Sequence, residues 1–213
     1  MIPYRMNPMG APEWGYLLDD HTKFLIYGSL QDRTGLTSVT NYGLVSDGYW
    51  ISSPDQTSYA VIPANSLSSD VLNNSYNWSM DISFFIPENW RDGLSRRCGL
   101  FGCFDNGSRD RFDLLFIPNS SYFFSLGGIG IMLGNPIQGR NNVITINYTV
   151  SDGISFKLNG TPVGSNMQTT DITLPSNPRA KKLGIMANMN GSSVDSYAYM
   201  MKIKYIRISN MTR

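Results

Sequence analysis

The densest group of chemically versatile side chains is DNGSRDR, residues 105–111. Asp105, Asn106, Arg109 and Asp110 place carboxylates, an amide and a guanidinium on one polar loop between two apolar runs. Such groups hydrogen-bond the hydroxyls of a sugar, and their oxygens also suit a calcium ion. The calcium-loop spacing D-x-[DN]-x-[DN]-G is not met, so no metal is assigned, and a polar hairpin turn is the competing reading. Trp90, in the turn PENW, supplies an aromatic face of the kind a sugar ring stacks on. Trp90, Asp105, Asn106, Arg109 and Asp110 are therefore the candidate glycan-binding residues. Trp78 alternates in phase with Met80 and Ile82 and is assigned to the core.

Catalytic chemistry is sparse. A glycosidase needs two carboxylates flanking the scissile bond. The glutamates are Glu13, near the N-terminus, and Glu88, in a turn after an apolar run. Asp47-Gly48, Asp92-Gly93 and Asp152-Gly153 read as turns, and Asp113 alternates toward the solvent face of its strand. The one histidine, His21, has no nucleophile elbow near it. GGIGIMLG, residues 127–134, lacks the G-x-G-x-x-G spacing and a following helix signal. The expectation is a protein that is not an enzyme, with no catalytic residues and no cofactor.

The two cysteines, Cys98 and Cys103, lie five apart in RRCGLFGCF. In one regular strand they face opposite ways, about 16 Å apart, which exceeds the reach of a disulfide. Half-buried thiols are expected, as in a reducing compartment. A net charge of +1 and small basic clusters (Arg96-Arg97, Arg109 with Arg111, Lys181-Lys182) do not make a phosphate-neutralising surface, so no nucleic-acid partner is expected. No run approaches the roughly 18 apolar residues of a membrane span, and the N-terminus lacks the apolar core of a signal peptide.

The elements that would position these residues are strands. Charge is low, at 15%, while Gly, Asn, Ser and Thr are abundant, the profile of many short strands and polar turns. Apolar runs recur at 23–28, 56–62, 80–86, 99–104, 111–117, 122–126, 129–133, 143–150, 154–158, 183–189 and 196–209. Ile144, Ile146, Tyr148 and Val150 alternate onto one face, as do Ile154, Phe156 and Leu158, and Asp152-Gly153 and Asn159-Gly160 are strong hairpin signals. In the last run the phase changes after Tyr205, so a bulge there is expected to return Ile206 and Ile208 to the core. About a dozen strands and almost no helix predict an antiparallel two-sheet sandwich or a barrel. Residues 1–20 stand apart as an extended N-terminal arm ahead of the sandwich at 21–213. Pro3, Pro8 and Pro12 break any helix or central strand, while Tyr4, Met6, Met9, Trp14 and Tyr16 carry enough apolar surface to pack on the domain itself or dock on a partner.

The order of these features resembles concanavalin A-like, laminin-G-like jelly-roll domains over about residues 23–210. FLIYGSLQDRTGLTSVTNYG is similar to their opening strand, D-x-x-G turn (Asp32 to Gly35) and Asn-x-Gly exit. TSYAVIPANSLSSD, WSMDISFFIPENW, NNVITINYTVSDGISFKLNGTPVG and KLGIMANMNG with the strand ending YIRIS resemble successive later segments. The resemblance implies a jelly-roll sandwich. The family's E-x-D-x-x-E acid cluster is absent, so its glucanase activity does not carry over, and no calcium ligands match. Two functional readings follow. One is a phage virion structural or decoration protein, its arm docked on capsid or tail proteins, in multiple copies, with carbohydrate as a further partner. The other is a glycan-binding module of a bacterial cell-surface or extracellular system.

Overall fold

The computed structural model describes residues 17–88, 97–104, 111–116, 122–126, 129–134, 138–163, 178–198 and 200–213. Its strands are β1 (Thr22–Tyr27), β2 (Thr40–Tyr42), β3 (Val45–Ser46), β4 (Ile51–Ser52), β5 (Tyr59–Ile62), β6 (Trp78–Ile86), β7 (Cys98–Phe104), β8 (Arg111–Phe116), β9 (Tyr122–Leu126), β10 (Ile129–Gly134), β11 (Arg140–Thr149), β12 (Gly153–Leu158), β13 (Thr161–Val163), β14 (Leu183–Ile185), β15 (Ala187–Asn190), β16 (Ser193–Tyr197) and β17 (Lys202–Ser209). They form two sheets packed face to face, the all-β sandwich expected. The first sheet runs β13-β12-β11-β6-β17, and the far edge of β17 is shared by β1 and β4, with β3 beyond β4. The second runs β10-β9-β8-β7-β14-β5-β2, and the β15–β16 hairpin joins it through a short parallel pairing of β15 with β7.

The core follows from alternation. On β6, Trp78, Met80, Ile82, Phe84 and Ile86 are fully buried between the sheets. Burying each such side chain contributes about 1.5–3 kcal/mol. Aromatic edges close the sandwich: Trp78 meets Phe112 with centroids 6.2 Å apart, and Phe84 meets Phe116 at 5.8 Å. Ile144, Ile146, Tyr148, Ile154, Phe156 and Leu158 are all buried, as their spacing predicts. Val150 is not: β11 ends at Thr149, and Val150 lies exposed in the following turn.

That turn also differs in type from its neighbour. Asn159 and Gly160 both have positive φ, 51° and 80°, as a two-residue type I′ turn requires. At Asp152-Gly153 only Gly153 has positive φ (77°), and Thr149 pairs with Gly153, which leaves a three-residue loop ending in a glycine bulge.

The register of β17 shifts between Ile203 and Tyr205, and this bulge keeps Ile203, Ile206 and Ile208 in the core. Tyr205 faces the other way and packs with Leu17, Leu25 and Tyr27. A second bulge changes the cysteine picture. The register of β7 shifts between Gly99 and Phe101, so the odd spacing of Cys98 and Cys103 no longer sends them to opposite faces. Both are buried in the one core rather than half-buried.

Two runs that read as single strands are divided. LGIMANM becomes β14 and β15 because Met186, at φ 59°, reverses the chain. The run 196–209 is broken between β16 and β17, where Met200 has φ 55°.

Candidate functional site

The glycan-binding candidates Trp90, Asp105, Asn106, Arg109 and Asp110 lie outside the described residues, as do the arm residues Tyr4, Met6, Met9, Trp14 and Tyr16. The described residues nevertheless expose two contrasting outer faces.

On the outer face of the first sheet, the register brings Leu25, Arg207, Asp81, Thr145 and Lys157 into one row across β1, β17, β6, β11 and β12. The next row is Thr22, Ser209, Ser79, Asn147 and Ser155. Asp81 accepts a 2.6 Å bond from the Thr145 hydroxyl and a 3.1 Å bond from Arg207 Nε, and a second Arg207 nitrogen closes the ion pair. Asp81 and Arg207 are both buried, so the face is covered over this pair, while Ser155 on β12 is exposed. Part of the cover comes from residues 17–21 and 210–213, which latch onto one another. The Asn147 amide donates to the main-chain oxygen of Arg213 (2.8 Å) and accepts from its N–H (2.9 Å), and Lys157 Nζ also reaches that oxygen. The Arg213 guanidinium pairs with Asp19, two residues after the buried Leu17. Burial acts to raise the Asp19 carboxyl, but bonds from Arg213 and Thr22 outweigh it and hold the carboxyl below its ordinary range. His21 sits on the same latch, its Nδ1 3.2 Å from Asn210 Oδ1.

The second sheet carries the β15–β16 hairpin against β7 and β14. Glycines make the approach possible: a Cβ on Gly99 would stand 2.6 Å from the Asn188 nitrogen, and one on Gly184 would stand 2.5 Å from the Ala187 oxygen. This overturns the solvent-facing expectation for Asp113. The residue does alternate away from the core, yet it is wholly buried, and Asn188 Nδ2 of the hairpin donates to Asp113 Oδ2 at 2.7 Å.

At the edge of this arrangement three tyrosines meet. Tyr42 and Tyr59 are direct partners on β2 and β5. Their rings stack with centroids 4.7 Å apart and planes 13° from parallel. Tyr197, at the end of β16, meets Tyr59 edge to face at 5.9 Å. Tyr59 is half-buried against the core, whereas Tyr42 is 50% exposed. The Tyr59 phenol is raised above its ordinary pKa first by burial, then by the Tyr42 and Tyr197 hydroxyls. The platform is held by a turn at the head of β5. One Asp55 oxygen accepts from Thr57 N–H (3.0 Å), Ser58 N–H (2.8 Å) and the Ser58 hydroxyl (2.7 Å). These bonds, the Ser58 hydroxyl first, hold the Asp55 carboxyl down to about 2. An exposed aromatic face edged by hydroxyls is suited to stacking and hydrogen bonding a polar ring. The sequence reading missed it because Tyr42, Tyr59 and Tyr197 are far apart in the chain, and only strand register joins them.

Among the described residues, no three His, Cys, Asp or Glu side chains come together as metal ligands, and no helix is long and apolar enough to cross a membrane.

No family model and no curated sequence matches the chain. Solved structures do. The chain is similar to Trypanosoma rangeli sialidase in complex with sialic acid, at 13% identity and a TM-score of 0.67, covering 92% of this chain and 32% of that one. It is similar to the botulinum neurotoxin serotype D binding domain, at 9% identity and a TM-score of 0.67, covering 91% of this chain and 49% of that one. A Trypanosoma rangeli sialidase mutant displaying trans-sialidase activity gives 12% identity and a TM-score of 0.64. The chain thus spans about a third of the sialidases and about half of the toxin domain. At these identities the likeness establishes a shared β-sandwich fold.

It also corrects one expectation. The lack of paired acids pointed to a protein that is not an enzyme, but sandwiches of this fold occur within sialidases, of which the chain covers only about a third. The lack of paired acids in one sandwich therefore does not exclude activity.

Proposed function

We propose that the sandwich is a glycan-recognising module, with the Tyr42–Tyr59–Tyr197 platform as its contact surface. The carrying observation is the half-exposed Tyr42 ring, backed by Tyr59 and fixed by direct strand pairing. Sugar rings present an apolar face to aromatics and hydroxyls to polar rims, and a ring held rigid by its neighbour loses little entropy on binding. The fold shared with a sialidase crystallised with sialic acid and with a neurotoxin binding domain supports the same reading. A glycan array with wild-type protein and Tyr42→Ala tests it: binding that disappears in the variant supports the module, and binding that survives unchanged refutes this surface.

The second reading sets the sandwich in a virion, as a multi-copy decoration on capsid or tail proteins. It is favoured by the composition of residues 1–20, where three prolines alternate with apolar and aromatic side chains. Leu17 and Asp19, at the end of the proposed 1–20 arm, pack on the sandwich itself, so the test is a deletion of residues 1–16, with a thermal melt to check that the sandwich still folds. Absence of the full chain from particles would rule this reading out, and incorporation that persists after the deletion would rule out the arm as its docking element.

A further inference from the structure

Resting on the glycan-recognition reading, we infer that the platform takes a neutral saccharide, stacked on the outer face of Tyr42, rather than an acidic sugar or an organic cation. The stack itself decides the mode of binding. Near-parallel rings with centroids 4.7 Å apart are in contact, so nothing enters between Tyr42 and Tyr59. Tyr197 presents to Tyr59 at 61°, edge against face, which closes that side too. A ligand therefore meets one open ring face and a rim of phenols. Quaternary ammonium groups are held by several faces at once, a cage that this arrangement does not provide.

The charge around the platform decides the class of sugar. An acidic sugar is held most strongly where a guanidinium or ammonium stands beside its carboxylate. The strands that build the platform, β2, β5 and β16, carry no Lys or Arg, and their one charged residue is the exposed Asp195, two positions before Tyr197. Asp55 precedes β5 and is held ionised by its turn. Lys182 adjoins Leu183, which pairs with Ile62 at the far end of β5, three strand positions or about 10 Å from Tyr59. Lys182 is moreover bonded to Ser192, at the end of the hairpin opposite Tyr197. Among the described residues, the charge on these three strands and on the turn ahead of β5 is thus negative and repels a carboxylate, while phenol hydroxyls, each a donor and an acceptor, match neutral sugar hydroxyls.

The test is an NMR titration of the full chain with lactose, cellotetraose and maltotetraose, and in parallel with sialyllactose and choline. The expected result is shifts at Tyr42, Tyr59 and Tyr197 with at least one neutral sugar. Tyr42→Ala should weaken that binding at least tenfold, while Tyr42→Phe, which keeps the stack, should weaken it less. Sialyllactose binding more tightly than lactose, with loss in Tyr42→Ala, would overturn the neutral-sugar inference and leave the platform reading standing. Choline shifting the same three residues would overturn it in favour of a cation site. No platform shifts with any sugar would defeat the recognition reading and the inference with it.

Discussion

Tyr42 and Tyr59 stack across the β2–β5 pair, and the two rings differ in what they support. Tyr42 is half exposed at the sheet edge, whereas Tyr59 packs against the core. Tyr42→Ala should therefore lower stability only by the loss of one aromatic pair, about 0.5–1.5 kcal/mol. Tyr59→Ala should cost more, about 3 kcal/mol, because it also removes core packing. Urea denaturation of the two variants would show the ordering. Equal losses would contradict the division between platform and support.

The Asp55 turn predicts a pH dependence. Its carboxyl lies at about 2 in the folded chain against an ordinary 3.8. A lowered folded-state value means that the stabilisation is fully present above the unfolded value and is lost as pH falls through the folded one. The turn should stay closed at pH 5 and above and lose its support between about pH 4 and 2. Carbon-detected titration of Asp55 should give a midpoint near 2, with the Tyr59 signals moving in the same window. A midpoint near 4 would show that the Ser58 and Thr57 bonds do not form.

Much of the sandwich was legible because alternation is a local property. The β11–β12 core residues and the bulge of β17 could be read from Ile144 to Leu158 and from the phase change after Tyr205. Breaks that depend on one residue's backbone were not. Met186 is a common strand residue, and nothing local announces its φ of 59°. Asp113 shows the same limit for burial: its alternation was read correctly, but its cover is the β15–β16 hairpin, about 75 residues away in the chain. The tyrosine platform was illegible for that reason too, since it exists only once β2, β5 and β16 are assembled. The loop residues Asp105 to Asp110 and Trp90 rested on composition alone, and they lie outside the described residues.

Glycine at position 99 should be needed for docking of the hairpin. A methyl there would lie 2.6 Å from the Asn188 nitrogen and 2.8 Å from Ser196 Oγ. Relief requires the β15 backbone to move, and such overpacking costs about 1–3 kcal/mol. Gly160→Ala is the control: it meets open space and suffers only from its φ of 80°, about 1–2 kcal/mol. Hydrogen exchange should therefore show lost protection across 187–197 in Gly99→Ala, but only around the 159–160 turn in Gly160→Ala. Matching protection patterns would mean that the hairpin does not rest on Gly99.

The ion pair beneath the first sheet's cover should behave as a unit. Asp81 and Arg207 are both buried, and Thr145 satisfies the second Asp81 oxygen. Asp81→Leu alone would leave the guanidinium buried without its counter-charge, a loss of about 3–5 kcal/mol. Arg207→Met alone would leave the carboxylate in the same position and should cost a similar amount. The double variant Asp81→Leu with Arg207→Met removes both charges and fills the space with apolar atoms, so its cost should fall well below the sum of the singles. Denaturant unfolding of all four proteins measures the coupling directly. Additive losses would show that water reaches the pair, and that the latch of Asp19, Asn147 and Arg213 leaves this face open.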